Sequence, residues 1–301
     1  MGDYGAGVGG GIHQMGKEAL IFGADYWAEL ERLRLVARRV YAARPWRPRK
    51  VGSGVEVSDK RPYSVGDEPR YIDWRYYARA RRLFTKLYEA ERDIAYLILI
   101  DASASMTSCW QEALRLCHAC VYLATCAGDR GCAAALHKDG IDILADCRTP
   151  PAARIATEPL QKLNPAYAVN LPRTLSAALS LATNIHILLL ITDLWDERWR
   201  DVFRTLSLTR VRSVVTVLHS GADRGAVGEG ELRLVDAETG EHLLLATNTG
   251  VLSDYKKEYD RWCDEVEEVS RRSGCEIFFC RAEDGFSAVV ERLFSAGILL
   301  P

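Results

Sequence analysis

Apolar residues change their spacing several times along the chain, and each change predicts an element. Trp27, Leu30, Leu33, Val36, Ala37 and Val40 recur at three- and four-residue steps, which predicts a helix over 25–41 with Asp25 as its N-cap. Residues 51–93 lose this periodicity. They are rich in Arg, Asp and Tyr, poor in aliphatics, and punctuated by Gly52, Gly54, Pro62, Gly66 and Pro69, so an irregular segment is expected there. From Ile94 onward strands and helices alternate. Strands are predicted at 95–100, 132–137, 141–145, 185–192, 213–219, 231–235, 242–246 and 276–280. Helices are predicted at 110–127, 151–163, 172–183, 196–207, 252–272 and 285–297. Asp139-Gly140 and Glu238-Thr239-Gly240 mark hairpin turns.

The runs Ile94–Ile100 and Ile185–Ile191 are apolar at every position, as in strands buried on both faces. Strands of this kind alternating with helices predict an α/β fold: a mainly parallel sheet with helices on both faces. The expected organisation is a flexible Gly-rich N-terminus at 1–23, a helix with the irregular segment at 24–93, and the α/β domain at 94–301.

Composition narrows the picture. The 301 residues are 48% hydrophobic and 27% charged, with a net charge of −2, which fits a globular chain with a sizeable core and excludes a wholly disordered one. The near balance of charge gives no global drive toward nucleic acid or an anionic membrane. Neither apolar run approaches the ~18–20 residues needed to span a bilayer. The N-terminus has no basic segment followed by a long apolar core, so no secretory signal is read there. Nine cysteines at irregular spacing, with Cys117-x-x-Cys120 but no second pair at zinc-site spacing, predict buried reduced thiols in a cytoplasmic protein.

Two apolar strands end in Asp: Asp101 after LILI and Asp193 after LLLIT. In parallel α/β sheets ligands sit beyond the carboxyl ends of the strands, so both carboxylates are expected in one crevice. Asp101-x-Ser103-x-Ser105 places a carboxylate and two hydroxyls around one strand-to-loop turn, an oxygen set suited to a hard cation such as Mg²⁺. The plainer reading is a serine-rich loop capping the next helix. The pattern resembles the metal-ion-dependent adhesion site of von Willebrand factor A domains.

Upstream, Arg61-Pro62-Tyr63, Gly66-Asp67-Glu68-Pro69-Arg70, Ile72-Asp73-Trp74, Ala78-Arg79 and Glu91-Arg92-Asp93 resemble the signature of the DUF58 family. The resemblance covers roughly residues 24–297, and the Asp236–Gly240 hairpin is similar to the family as well. It implies a Rossmann-like von Willebrand A-type domain behind the signature, and a metal-site motif matched by Asp101, Ser103, Ser105 and Asp193. The implied cofactor is Mg²⁺ or Mn²⁺, with no established catalytic reaction. The implied role is that of a non-enzymatic adapter for a MoxR-type AAA+ ATPase in chaperone-like maturation of a client protein, with no membrane insertion. Many members carry N-terminal transmembrane helices, which are not read in this chain. The family's usual Gly-Thr-Asp-Leu run corresponds to Val169–Leu175 with Arg173 at the place of the Thr, where a guanidinium would repel a cation or replace it. Thr174 or Asn170 would substitute if the loop shifts.

Asp67, Arg70, Asp73, Trp74 and Arg79 are candidates for a partner surface, since Trp, Tyr and Arg favour interface hot spots. The bland alternative is an ion-pair and aromatic network that holds the segment together. Arg32, Arg34, Arg38, Arg39, Arg44, Arg47, Arg49 and Lys50 are read as a solvated face and tail, or as a docking surface for an acidic partner. With the Arg/Tyr/Trp segment they form the competing case for nucleic-acid binding. A metal-dependent phosphohydrolase is the weaker competitor, because Ser103 stands where such enzymes place a second acid. No G-x-S-x-G elbow and no G-x-x-x-x-G-K-[ST] loop is present, and His118 and His137 read as core or edge residues.

Overall fold

Alternate residues of the apolar strands face opposite sides of one six-stranded sheet. The structure is a computed structural model, and it describes residues 20–42, 50–51, 57–65, 67–90, 94–181, 184–224 and 230–299. The Gly-rich start, Arg44, Arg47, Arg49, Gly66 and Glu91–Asp93 lie outside the described residues.

Helix α1 (Ala24–Ala42) opens the chain, with Asp25 inside its first turn. A small antiparallel sheet follows, made of β1 (Lys50–Val51), β2 (Val57–Pro62) and β3 (Phe84–Ala90), with α2 (Trp74–Ala80) between the last two. Next come β4 (Ala95–Asp101), α3 (Trp110–Cys126), β5 (Arg130–His137), β6 (Gly140–Cys147), α4 (Pro150–Ile155), α5 (Thr157–Gln161) and α6 (Leu171–Leu181). The chain continues through β7 (Ile187–Thr192), α7 (Trp199–Ser207), β8 (Arg212–His219), β9 (Gly230–Val235) and β10 (His242–Thr247). It ends with α8 (Thr249–Arg272), β11 (Glu276–Arg281) and α9 (Gly285–Ser295).

The main sheet runs β11-β8-β7-β4-β5-β6, parallel except for the edge strand β6. Tyr96, Ile98 and Ile100 of β4 pack with α1, α3 and α9 on one face. Leu97 and Leu99 pack with α6, α7 and α8 on the other. This two-sided burial is why the strand reads as an unbroken apolar run.

Three expectations change. The segment 51–93 is not irregular: it holds β2, α2 and β3. Its strands carry charged residues such as Asp59, Lys60, Arg61 and Lys86 and form a small sheet with few aliphatics, so no period shows in the sequence. The helix read at 151–163 is two helices. Pro159 has no N–H to give the carbonyl four residues back, and the break falls at Ala156. The helix read at 196–207 starts at Trp199, because Asp196 Oδ1 accepts the Arg198 N–H (2.8 Å) in a tight turn.

Helix α1 was grouped with the irregular segment but packs as part of the α/β domain. Tyr26, Leu30, Leu33 and Ala37 are buried in the core shared with α3 and α9. Of the segment's side chains that are described, those of residues 60–65 and 67–86, none belongs to either core of the α/β domain, and Ile72, Asp73 and Thr85 are buried.

Candidate functional site

Strand β4 is followed in sequence by β5 on one side of it, and pairs on its other side with β7. This reversal opens a crevice at the carboxyl ends of the two strands. The parallel register aligns Ile100 with Ile191, so the next residues, Asp101 and Thr192, stand abreast. Thr192 Oγ1 donates to Asp101 Oδ2 (2.8 Å), and the Ser103 N–H donates to Asp101 Oδ1 (3.0 Å). Ser103 Oγ and Ser105 Oγ are 3.0 Å apart. Both loops are thus tied to the strand ends before any ligand is considered.

Past β7 the chain turns sharply. Leu194 is buried at φ +60°, in the left-handed region that costs a non-glycine residue roughly 1–2 kcal/mol. The turn is held by the Leu194 N–H donating to Thr192 Oγ1 (2.9 Å) and the Trp195 N–H donating to Asp193 Oδ1 (3.1 Å). Asp193 is 3% exposed, and its Oδ2 has no hydrogen-bond partner. Asp196 Oδ2 is likewise buried and unpartnered.

Asp101, Ser103, Ser105, Asp193 and Asp196 line one cleft of about 210 Å³, together with Val169, Leu171, Leu194, Trp195 and Glu238. That volume includes space open to solvent; the enclosed room is about 10 Å³, enough for a single ion or water and too little for a metabolite. No Lys or Arg lines it. Burial pushes the Asp101 and Asp193 carboxyls up, and the charge of Asp101 pushes Asp193 further. Beside the cleft Trp195, 40% exposed, stacks on His219 (4.7 Å, 11°) and on Trp262 (4.8 Å, 26°). His219 Nε2 lies 2.7 Å from the Asp193 carbonyl, which can only accept, so the proton sits on Nε2 and Nδ1 accepts from the Tyr259 hydroxyl. A larger hollow of about 610 Å³ beside α6, lined by Leu97, Leu99, Ile141 and Leu181, is mostly apolar and holds none of the candidate residues.

The structure therefore brings together Asp101, Ser103, Ser105 and Asp193. It does not bring Thr174 to them. Thr174 Oγ1 donates to the carbonyls of Asn170 (3.1 Å) and Leu171 (3.2 Å), so its hydroxyl is spent on its own helix, and it does not line the cleft. Arg173 is exposed and also absent from the lining. Sequence reasoning missed Thr192, Trp195, Asp196 and Glu238. The first three are near neighbours of Asp193 and carried a local signal; Glu238 carried none.

In the signature segment Asp67 accepts from Arg61 (2.5 Å), the Ser64 N–H (3.0 Å) and Thr85 Oγ1 (2.8 Å). Asp73 caps α2 through the Tyr76 N–H (3.0 Å) and pairs with Lys60 (2.6 Å). Both carboxylates are spent within the segment. Arg70, Trp74 and Arg79 are exposed, Trp74 at 57%, with Arg70 paired to Glu68 (2.8 Å).

The family's sequence profile, described as "Protein of unknown function DUF58", matches residues 59–264. The chain belongs to this family. Its main domain is a mainly parallel six-stranded sheet with helices on both faces. No curated protein matches the chain. Among solved structures, BatB from Bacteroides thetaiotaomicron is 12% identical over 67% of this chain and 99% of its own, at a TM-score of 0.40. The pilus adhesin SpaC from Lactobacillus rhamnosus GG is 10% identical over 69% of this chain and 30% of its own, at 0.43. The SpRpn10 VWA domain is 10% identical over 67% of this chain and 95% of its own, at 0.37.

Whether the DUF58 cleft fits a divalent cation can be judged from its oxygen atoms. Two buried carboxylate oxygens lack hydrogen-bond partners, two serine hydroxyls face each other, and no basic residue lines the cleft, although Arg198 pairs with the other oxygen of Asp196 (3.6 Å). These residues fit. Among the described residues no three His, Cys, Asp or Glu side chains form a ligand group by themselves, so hydroxyls and waters would have to supply the rest. No helix among the described residues is long and apolar enough to cross a membrane.

Proposed function

We propose that this DUF58 protein is a non-enzymatic adapter that binds partner proteins through a divalent cation, Mg²⁺ or Mn²⁺, in the cleft at the ends of β4 and β7. The observation that carries this reading is the buried, unpartnered Oδ2 of Asp193 in a cleft shared with Asp101 and the Ser103–Ser105 hydroxyl pair. Leaving such an oxygen unsatisfied costs about 1–3 kcal/mol or more, which a bound cation would recover. Asp101, Ser103, Ser105 and Asp193 would hold the ion, and Asp196 would contribute through water. The cation supplies an electrophilic position that a partner's Asp or Glu completes. A carboxylate meeting a cation in a small, poorly hydrated cleft gives a strong and selective contact.

The proposed partners are a MoxR-type AAA+ ATPase and a client protein that the pair matures. The exposed Arg70, Trp74 and Arg79 of the signature segment are a second contact surface, and Trp195 with its aromatic stack borders the first. The nucleic-acid reading loses ground on α1, where Arg34 is tied to Glu31 (2.5 Å) and Arg32 to Glu291 (3.1 Å). The test is capture of a purified MoxR-type ATPase by the purified protein in Mg²⁺ and in EDTA. Capture in Mg²⁺ that disappears in EDTA and with Asp101→Ala is expected. Equal capture in all three conditions would remove the cation from the proposal.

A further inference from the structure

The cleft contains one acid that comes from far away in the chain. Glu238, at the tip of the β9–β10 hairpin, lines it beside Asp101, Ser103, Ser105, Asp193 and Asp196. A fourth carboxylate brought to three others, with no basic lining residue, is repelled unless positive charge lies between them. Burial first, then its neighbour Asp236, and last the charges of Asp101 and Asp196 push the Glu238 carboxyl up.

The tip is built to hold the backbone at Glu238 in place, while the side chain itself is exposed. Asp236 Oδ1 accepts from the N–H groups of Glu238 (2.9 Å) and Thr239 (2.7 Å), the Asp236 carbonyl accepts from Gly240 (2.9 Å), and Gly240 supplies the φ of +74° that closes the turn. The arm behind it pairs only with itself among the described residues: β9 and β10 form a two-stranded sheet. Leu234, Val235, Leu243 and Leu244 of that arm are exposed. A two-stranded ribbon is marginally stable alone, so the contact at its tip decides much of where it rests. Asp193, 3% exposed, keeps its Oδ2 without a hydrogen-bond partner, and this is the independent sign that the cleft is meant to hold a ligand.

We infer that Glu238 is an internal ligand of the cleft, a tethered carboxylate that moves onto the cation's open position once the ion is bound and stays there until a partner's acidic side chain displaces it. This rests on the cation reading given above. The hairpin then serves as a self-inhibitory arm: a partner binds only by competing with a carboxylate held at high local concentration, and displacement frees the exposed aliphatic ribbon.

Mn²⁺ is the probe. Calorimetric titration and hydrogen exchange of residues 230–247 are measured on the full chain as wild type, Glu238→Gln and Asp193→Asn, with Ser103→Ala as a second cleft variant and thermal melts to verify folding. In the wild type, saturating Mn²⁺ should slow exchange in the hairpin by on the order of tenfold. Glu238→Gln should still bind Mn²⁺ but lose that protection. Mn²⁺ binding that the cleft variants weaken, with hairpin exchange unaffected by the ion or slowed equally in Glu238→Gln, overturns the internal-ligand inference and leaves the cation site standing. No Mn²⁺ binding by the wild type, or binding unchanged in both cleft variants, overturns the cation site and the inference with it.

Discussion

His118 and Thr192 show how single polar groups are accommodated inside this apolar domain. Thr192 sits fully buried at the head of β7 and spends its one hydroxyl twice, donating to Asp101 and accepting from Leu194. His118 is fully buried on α3, where Nε2 donates to the Ala153 carbonyl (3.0 Å) and Nδ1 accepts from the Tyr26 hydroxyl (2.5 Å). Both ring nitrogens are satisfied only in the neutral form, and burial pushes the pKa of His118 down from 6.5 to about 4. Because the folded-state value lies below the unfolded one, the unfolded chain takes up the proton first. The stabilising contribution is complete above pH ~6.5 and is lost as pH falls toward about 4, a difference worth about 3 kcal/mol in all and about 2 kcal/mol by pH 5. Between pH 7 and pH 5 the raised carboxyl of Asp193 acts with the opposite sign, so thermal melts should show a wild-type midpoint that drops relative to that of His118→Gln as pH falls. Equal slopes would show that the buried ring is not what the acid limb reports. His219 is also pushed down by burial and adds to the acid-side loss in both proteins.

At the scale of elements, helix α1 packs with the α/β domain, while the signature segment with which chain order grouped it forms a small sheet of its own. The stripe Leu30, Leu33, Ala37 was legible as a helix face, but which surface it covers was not, because a 3.6-residue period names a buried face without naming its partner. In the structure α1 completes the core over α3 and α9. Leu33→Ala should accordingly lower the stability of the whole α/β domain by about 2–5 kcal/mol in urea unfolding. Asp73→Ala, which removes the cap of α2 and the partner of Lys60, should perturb the small sheet while leaving the main transition nearly unmoved. If the two variants shift the main transition equally, the segment and the domain unfold as one unit. The elements of 51–93 escaped notice because hydrogen bonds between charged strands hold them together, and hydrogen bonds leave no hydrophobic period.

For the whole molecule the cysteines give a direct measure of packing. All nine are free thiols, six of them buried, and only Cys126, Cys132 and Cys263 are partly exposed. Burial pushes the Cys117 thiol up to about 12 and the Cys132, Cys275 and Cys280 thiols up to about 11. A thiol reacts as its thiolate, so at pH 8 the native protein should titrate with at most three fast-reacting groups and nine once denatured, as read with a chromogenic disulfide. More than three fast groups would mean that part of the core around the six buried thiols opens readily in solution.

Much of this molecule is written in local pattern. Strands buried on both faces must be apolar throughout, helices on a sheet must carry a stripe, and a strand-end Asp followed by two spaced serines marks where oxygen atoms gather. Asp101, Ser103, Ser105 and Asp193 were therefore nameable from order alone. Other features depended on which distant segments become neighbours. The parallel pairing of β4 with β7 sets Thr192 beside Asp101, the left-handed turn at Leu194 carries Asp196 to the cleft, and the β9–β10 hairpin delivers Glu238 to its rim. The same folding turned the Thr174 hydroxyl inward to its own helix and left Arg173 outside. Periodicity records burial, which each residue experiences by itself, whereas a site is a relation among residues that only the folded chain creates.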